Sequence, residues 1–324
     1  MKLAAVQYRP PKGQPEAARA DLVRLLDLAC DEGADLVVFP EMATSGYIWS
    51  SPSEVLPHAE VRRGPTFRML SERARRHGAW VVCGFPERFL VPGVREPGGG
   101  TAVRLFNSAL VIAPDGALAT CYRKVLLYDA DEAWAEPGWR RPVCSTGFGR
   151  LAPGICMDLN DPRFLRHLVS ARADVLAFCT NWVEEGVDVH AYWKSQLSGW
   201  KGWTVAANTH GVDRGVRFSG RSAILAPGGR IAAMADGEGD AVLIVVDGHK
   251  YVEIRNFDQL PDKLEVAPEV LFAIFVVRVG EDILPDVLVC DVVIELRLVV
   301  MEKFLGLGAA HRGDARAGFA KSCG

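Results

Sequence analysis

Four polar residues in this chain stand where chemistry could be done. Glu41 follows Phe39-Pro40 at the end of an apolar run, and Lys124 follows Tyr122-Arg123. Glu132 lies in the acidic stretch Asp131-Glu132-Ala133-Trp134-Ala135-Glu136-Pro137-Gly138, and Cys156 follows Gly154-Ile155 and precedes Met157-Asp158-Leu159-Asn160. A carboxylate at a desolvated strand end has a raised pKa and can take and return a proton near neutral pH. A lysine there is a fixed positive charge for a developing oxyanion. A thiol at a strand-to-helix turn faces backbone N–H groups that stabilise a thiolate. Taken singly, each has a plainer reading: a capping or solvated carboxylate, a surface lysine, a packed cysteine. Their order along separate strand ends gives them weight together.

The elements that must position these residues alternate. Residues 2–8 read as a buried strand, and Leu22, Leu25, Leu26 and Ala29 share one face of a helix over about 15–32 that Gly33 ends. The unbroken apolar run 35–39 is the pattern of a strand covered on both faces. A helix over 66–77, a strand over 79–85, a Pro/Gly-rich loop over 92–100 and a strand over 103–113 follow. Pro114-Asp115-Gly116 turns that last strand into a hairpin with 117–122. The second half reads as strands 151–156, 175–179, 204–207, 219–225, 230–235 and 241–246, with helices 162–171 and 190–202. The class is α/β with mixed sheets.

With 324 residues, 49% of them apolar, the chain can bury a sizeable core. Its 37 basic and 40 acidic residues are spread along the sequence for a net charge of −3, without the basic stripe a nucleic acid requires. The apolar opening Met1–Gln7 is too short for a signal-peptide core, so a cytoplasmic protein is expected. Residues 283–300, broken by Asp286, Asp291, Glu295 and Arg297, read as buried strand rather than membrane span. Eight single cysteines without C-x-x-C pairs imply reduced thiols, and seven histidines without ligand spacing give no support for a metal. No cofactor is expected.

The succession Phe39-Pro40-Glu41, Tyr122-Arg123-Lys124, Gly154-Ile155-Cys156-Met157-Asp158 resembles the nitrilase, or carbon–nitrogen hydrolase, superfamily. Leu3–Gln7, Thr180-Asn181-Trp182, Val205–Asn208 and Phe218–Ser222 leading to Pro227-Gly228-Gly229 extend the match over about residues 1–247. Glu41–Tyr47, Asp131–Ala135 and Gly154–Asn160 are most similar to the branch containing protein N-terminal Asn/Gln amidases. The resemblance implies a four-layered α–β–β–α sandwich, a homodimer, and hydrolysis of a non-peptide C–N bond in an amide or at a peptide N-terminus. In that scheme Cys156 attacks, Glu41 moves the proton, Lys124 and the Met157 N–H hold the oxyanion, and Glu132 keeps Lys124 in register. Asp131 and Glu136 lie within a short shift of Glu132. Pocket walls are expected from Tyr47, Trp49, Trp134, Asn181, Trp182 and His190, with Asp129 or Asp131 meeting a substrate ammonium. Residues 248–324 depart from the family pattern and read as an atypical C-terminal extension.

Other readings remain at this level. Nitrile and N-carbamoyl substrates share the same thioester chemistry. A Cys–His hydrolase would take His167, His190 or His210 as its base. An inactive scaffold would keep the fold and lose the reaction.

Overall fold

Chain segments whose residues are apolar on both faces must be covered on both faces, and that requirement builds this molecule. The structure, a computed structural model, describes residues 1–95, 98–246, 250–254 and 280–281. In chain order the strands of the first half are β1 (Lys2–Gln7), β2 (Leu36–Val38), β3 (Trp80–Arg95), β4 (Thr101–Ile112) and β5 (Leu118–Arg123). Those of the second are β6 (Cys144–Thr146), β7 (Gly149–Ile155), β8 (Val175–Thr180), β9 (Trp203–Asn208), β10 (His210–Asp213), β11 (Val216–Ser219), β12 (Ala223–Leu225), β13 (Ile231–Met234), β14 (Ala241–Val246), β15 (Lys250–Ile254) and β16 (Gly280–Glu281). The helices are α1 (Pro15–Asp31), α2 (Pro52–Val55), α3 (Pro65–His77), α4 (Asp129–Glu132), α5 (Pro162–Ser170) and α6 (Val189–Gln196).

One sheet runs β16-β15-β14-β1-β2-β3-β4-β5 and the other β13-β12-β9-β8-β7-β6, with β10 and β11 as a separate hairpin. Both sheets are mixed: β1, β2 and β3 pair in parallel, as do β7, β8 and β9, with antiparallel strands at their flanks. Leu22, Leu25, Leu26 of α1 and Leu70, Ala74 of α3 pack on Ala4, Val6, Val37 and Val81 of the first sheet. The opposite face of that sheet, Leu3, Ala5, Leu36, Val38 and Val82, meets Leu151, Ile155, Val175, Ala177 and Val205 of the second. Phe164 and Leu168 of α5 and Trp193 of α6 cover the outer face at Ala152, Leu176 and Phe178. The layers are therefore α–β–β–α, and the strand periodicity of two sends alternate residues to the central and outer cores.

Three elements differ from the sequence expectation. The predicted loop 92–100 is entered by β3, which continues to Arg95 paired with β4; its register shifts between Leu90 and Arg95, where Pro92 lacks the N–H a regular ladder needs. The single strand expected over 219–225 is two, β11 and β12. Gly220 and Arg221 have positive φ of 57° and 54° and turn the chain between sheets. The helix expected over 190–202 ends at Gln196. The stretch 283–300 and all but a few residues of the C-terminal extension lie outside the described residues. No helix among the described residues is long and apolar enough to cross a membrane.

Candidate active site

Three of the four chemical groups stand just beyond strand ends: Glu41 after β2, Lys124 after β5 and Cys156 after β7. Glu41 stands three residues beyond β2, in a loop that crosses β3 so closely that only glycine fits at position 84. A Cβ there would lie 2.5 Å from the Pro40 oxygen and 2.6 Å from Glu41 Cα. Reciprocal backbone bonds, Gly84 N–H to Pro40 O (3.1 Å) and Ala43 N–H to Gly84 O (2.9 Å), fasten the loop, and Met42 takes a positive φ of 50°. Lys124 directly follows β5, its N–H donating to Asn107 O on β4 (2.8 Å). Cys156 directly follows β7 and has φ of 40°, a left-handed conformation that costs a non-glycine residue about 1–3 kcal/mol. Asp158 holds that turn: its carboxylate accepts from Ile155 N–H (3.0 Å), Tyr122 Oη (2.6 Å), and the N–H groups of Val125 (2.9 Å) and Leu126 (3.0 Å). The cysteine turn is thereby tied to the segment that carries Lys124.

Lys124 is fully buried between two fully buried carboxylates. Its Nζ donates to Glu41 Oε1 at 2.7 Å and to Asp131 Oδ2 at 2.5 Å. The acid that meets Lys124 is thus Asp131, where the sequence reading expected Glu132. In the single turn α4, residue 131 faces inward with Trp134, whereas 132 is rotated outward and exposed. The Asp131 carboxylate also accepts from the Tyr128 N–H (3.0 Å) and Tyr47 Oη (3.2 Å), and Glu132 makes no ion pair among the described residues. Asn107, in mid-strand on β4, donates from one Nδ2 to Glu41 Oε1 (2.7 Å) and Asp131 Oδ1 (2.9 Å). The remaining Glu41 oxygen accepts the Asn181 N–H at 3.0 Å.

Burial dominates the electrostatics. It raises Glu41 to about 7, against the pull of Lys124, with Asp131 adding to the rise. It also pushes the Cys156 thiol to about 12, reinforced by Glu41 and opposed by Lys124, the Thr180 side chain and the Asn181 N–H. Burial alone would lower the Lys124 ammonium, but Asp131 and Glu41 hold it above its ordinary value. The thiol therefore feels a carboxylate and an ammonium, and the three candidate histidines lie elsewhere. His190 Nε2 is 2.8 Å from Arg221 O, His210 pairs with Asp240 at 2.7 Å, and His167 is lowered by burial and Arg141.

The expected wall residues divide. Tyr47 lies at the centre, its ring between Tyr128 and Phe218 and its hydroxyl toward Asp131 and Lys124. Asn181 is buried with its Oδ1 unpartnered, and Trp134 packs with Tyr47 in one cluster. Half-buried Trp182 packs on Tyr192 and Trp193; Met157, also half-buried, directly follows the cysteine. Trp49 belongs to the same cluster, stacked on His58 beneath Lys12. Two fall away from it: His190 packs on Trp193, and Asp129 is exposed. Sequence reasoning missed Asn107, Gly84 and Asp213, whose Oδ2 accepts the N–H groups of Tyr47 (3.1 Å) and Ile48 (3.0 Å) and Lys12 Nζ (2.7 Å). An amide set in the apolar run 105–112 and a glycine inside a strand were the signals available. A cavity of about 410 Å³ beside the β10–β11 hairpin adjoins the cluster through Tyr47 and Asn181. Among the described residues no group of His, Cys, Asp and Glu could hold a metal ion.

A thiol, a buried carboxylate and a buried ammonium on a four-layered sandwich are groups with which acyl transfer can be carried out. The carbon–nitrogen hydrolase family model matches residues 2–247, and the chain belongs to that family. It is a carbon–nitrogen hydrolase of amidase type within the nitrilase superfamily. Over 243 residues it is 31% identical to a nitrilase of Pyrococcus abyssi, covering 72% of this chain and 85% of that one. A protein N-terminal amidase of Schizosaccharomyces pombe is 28% identical over 49% of this chain and 56% of its own length. Among solved structures, a mutant amidase of the nitrilase superfamily from Nesterenkonia AN1 superposes with a TM-score of 0.64 at 22% identity, covering 76% of this chain and 89% of that one.

Proposed function

We propose that this protein hydrolyses the C–N bond of a primary amide through a thioester on Cys156, with Glu41 as proton carrier and Lys124 as the oxyanion's cation. The observation that carries this reading is the fully buried Glu41–Lys124–Asp131 cluster, in which Glu41 and Lys124 act on the thiol. A thiol near 12 beside a carboxylate near 7 is not ionised in the resting enzyme. Proton transfer to Glu41 therefore accompanies attack of the sulfur on the carbonyl carbon, as negative charge moves onto the carbonyl oxygen facing Lys124. Glu41 returns the proton to the amide nitrogen, the C–N bond breaks, and ammonia leaves an acyl thioester. Water, losing its proton to Glu41, then attacks the thioester, and the released thiolate recovers that proton, giving a carboxylic acid and free enzyme. Asp131 stays a charged anchor that keeps Lys124 aimed.

A second reading is an amide at a peptide N-terminal Asn or Gln. It is supported by Asp129 and Glu185, whose charges both act on the half-buried Tyr128, a residue that also feels Cys156 and Lys124. Asp131 is occupied by Lys124, so those two acids are the available partners for a substrate ammonium. A homodimer belongs to the same proposal. Ammonia release from small aliphatic amides, nitriles, N-carbamoyl compounds and peptides beginning in Asn or Gln tests the choice. Turnover of simple amides, unaffected by Asp129→Asn with Glu185→Gln, supports the first reading. Loss of peptide turnover alone in that double variant supports the second. Absence of amide turnover throughout, with nitriles consumed, would overturn both.

A further inference from the structure

The cluster contains one group the reaction does not consume and no charge accounts for. Asn107 ties three of its members together: its carbonyl accepts the Lys124 N–H at 2.8 Å, and its single Nδ2 donates to Glu41 Oε1 and Asp131 Oδ1 at 2.7 and 2.9 Å. The side chain is fully buried, and its Oδ1 has no partner. Burying an amide oxygen unpaired is unfavourable. The orientation is explained by two carboxylates that can only accept, for which the amide nitrogen is the matching end. Glu41, Lys124, Asp131 and Asn107 thus form a closed ring of two acceptors alternating with two donors.

We propose that Asn107 is a positioning residue that keeps Glu41 and Asp131 apart and both ionised, so that Glu41 remains free to take the thiol proton. Two carboxylates sharing one lysine otherwise favour a state in which one proton bridges them. The Nδ2 hydrogens occupy the position such a proton would take. The groups facing Glu41 are Lys124, Asp131, Tyr47, Cys156, Cys179 and the Asn181 N–H. Of these only Lys124 and Asn181 give Glu41 a hydrogen bond, so loss of Asn107 falls directly on its ionisation. The proposal rests on Glu41 being the proton acceptor.

Asn107→Leu keeps the volume and removes both bonds, and Ser108→Ala is the control: its neighbour on β4 faces the other way and bonds buried Glu87 at 2.8 Å. Amide hydrolysis and melting are measured from pH 5 to 9. The acid limb of kcat/KM is expected to move up by about one pH unit in Asn107→Leu, with kcat near neutrality down about tenfold to a hundredfold and KM changed less than about threefold. Asn107→Asp, which can donate only when protonated, recovers part of the lost activity toward low pH. Ser108→Ala lowers the melting temperature with the limb unmoved. If Asn107→Leu shifts only the melting temperature, the residue is merely structural and the inference fails. If the wild-type acid limb is itself absent near 7, it is the role of Glu41 that fails instead.

Discussion

Replacing Asp131 by Asn separates it from its neighbour Glu132 by charge and by hydrogen bonding. All groups contacting its carboxylate are donors: Lys124 Nζ at 2.5 Å, Tyr128 N–H at 3.0 Å, Tyr47 Oη at 3.2 Å and Asn107 Nδ2 at 2.9 Å. An amide has one oxygen and one NH2, so whichever way it turns, at least one donor meets another donor. If the amide oxygen keeps Lys124, its NH2 faces Asn107. Should Asn107 flip to accept, Glu41 loses its bond. Breaking one partner from a buried pair costs about 3–5 kcal/mol, which appears in a melt. A misaimed oxyanion cation costs about a hundredfold to a thousandfold in kcat, or about 2.7–4 kcal/mol of transition-state stabilisation. There is also a sign. Asp131 raises Glu41, so Asp131→Asn lowers it and moves the acid limb of kcat/KM to lower pH while kcat falls. Glu132→Gln, at an exposed site, is expected to stay within about twofold of wild type in kcat and unchanged in profile. Ammonia release by both purified variants across pH 5 to 9 decides the matter. A loss in Glu132→Gln equal to or greater than that in Asp131→Asn would refute the placement of the second acid.

Further expectations follow from the same geometry. With Glu41 near 7 and active only when ionised, kcat/KM at pH 5 falls to about one hundredth of its plateau, and a flat profile between 5 and 8 would exclude Glu41 as base. Gly84→Ala places a methyl 2.5 Å from the Pro40 oxygen, and displacement of the Glu41 loop should lower kcat by more than tenfold and the melting temperature by several degrees. Unchanged values of both would mean that the loop yields freely. Asp158→Asn alters the acceptor shared by Ile155, Tyr122, Val125 and Leu126, so thioester formation should slow at least tenfold in single-turnover assays with KM little altered. An unaffected rate would separate the cysteine turn from the lysine segment.

Glu41, Lys124 and Cys156 were legible in the sequence because each comes just after an apolar run, where a strand stops and a side chain meets a cleft. Asp131 and Glu132 are one residue apart, and in a helical turn that step rotates a side chain by about 100°. Composition cannot say which of two adjacent acids faces inward; the buried face shared with Trp134 does. Asn107 was hidden for the opposite reason, since an amide amid Leu105, Phe106, Ala109 and Leu110 looks like an interruption of a strand until its partners, from 66 and 24 residues away, are brought to it. The alternation of strands and helices was readable from periodicity and their layering from the family resemblance, while the break at Gly220-Arg221 depends on positive φ angles that an apolar pattern does not report.

The central claim is a covalent acyl group on one thiol among eight. Rapid mixing with a primary amide substrate, acid quench and mass spectrometry of the peptides should find a mass increase equal to the acyl group at Cys156, formed at or above kcat and absent from Cys156→Ala, which releases no ammonia yet melts as a folded protein. Steady ammonia release by Cys156→Ala, or an adduct on any other cysteine at a rate matching turnover, would contradict the account.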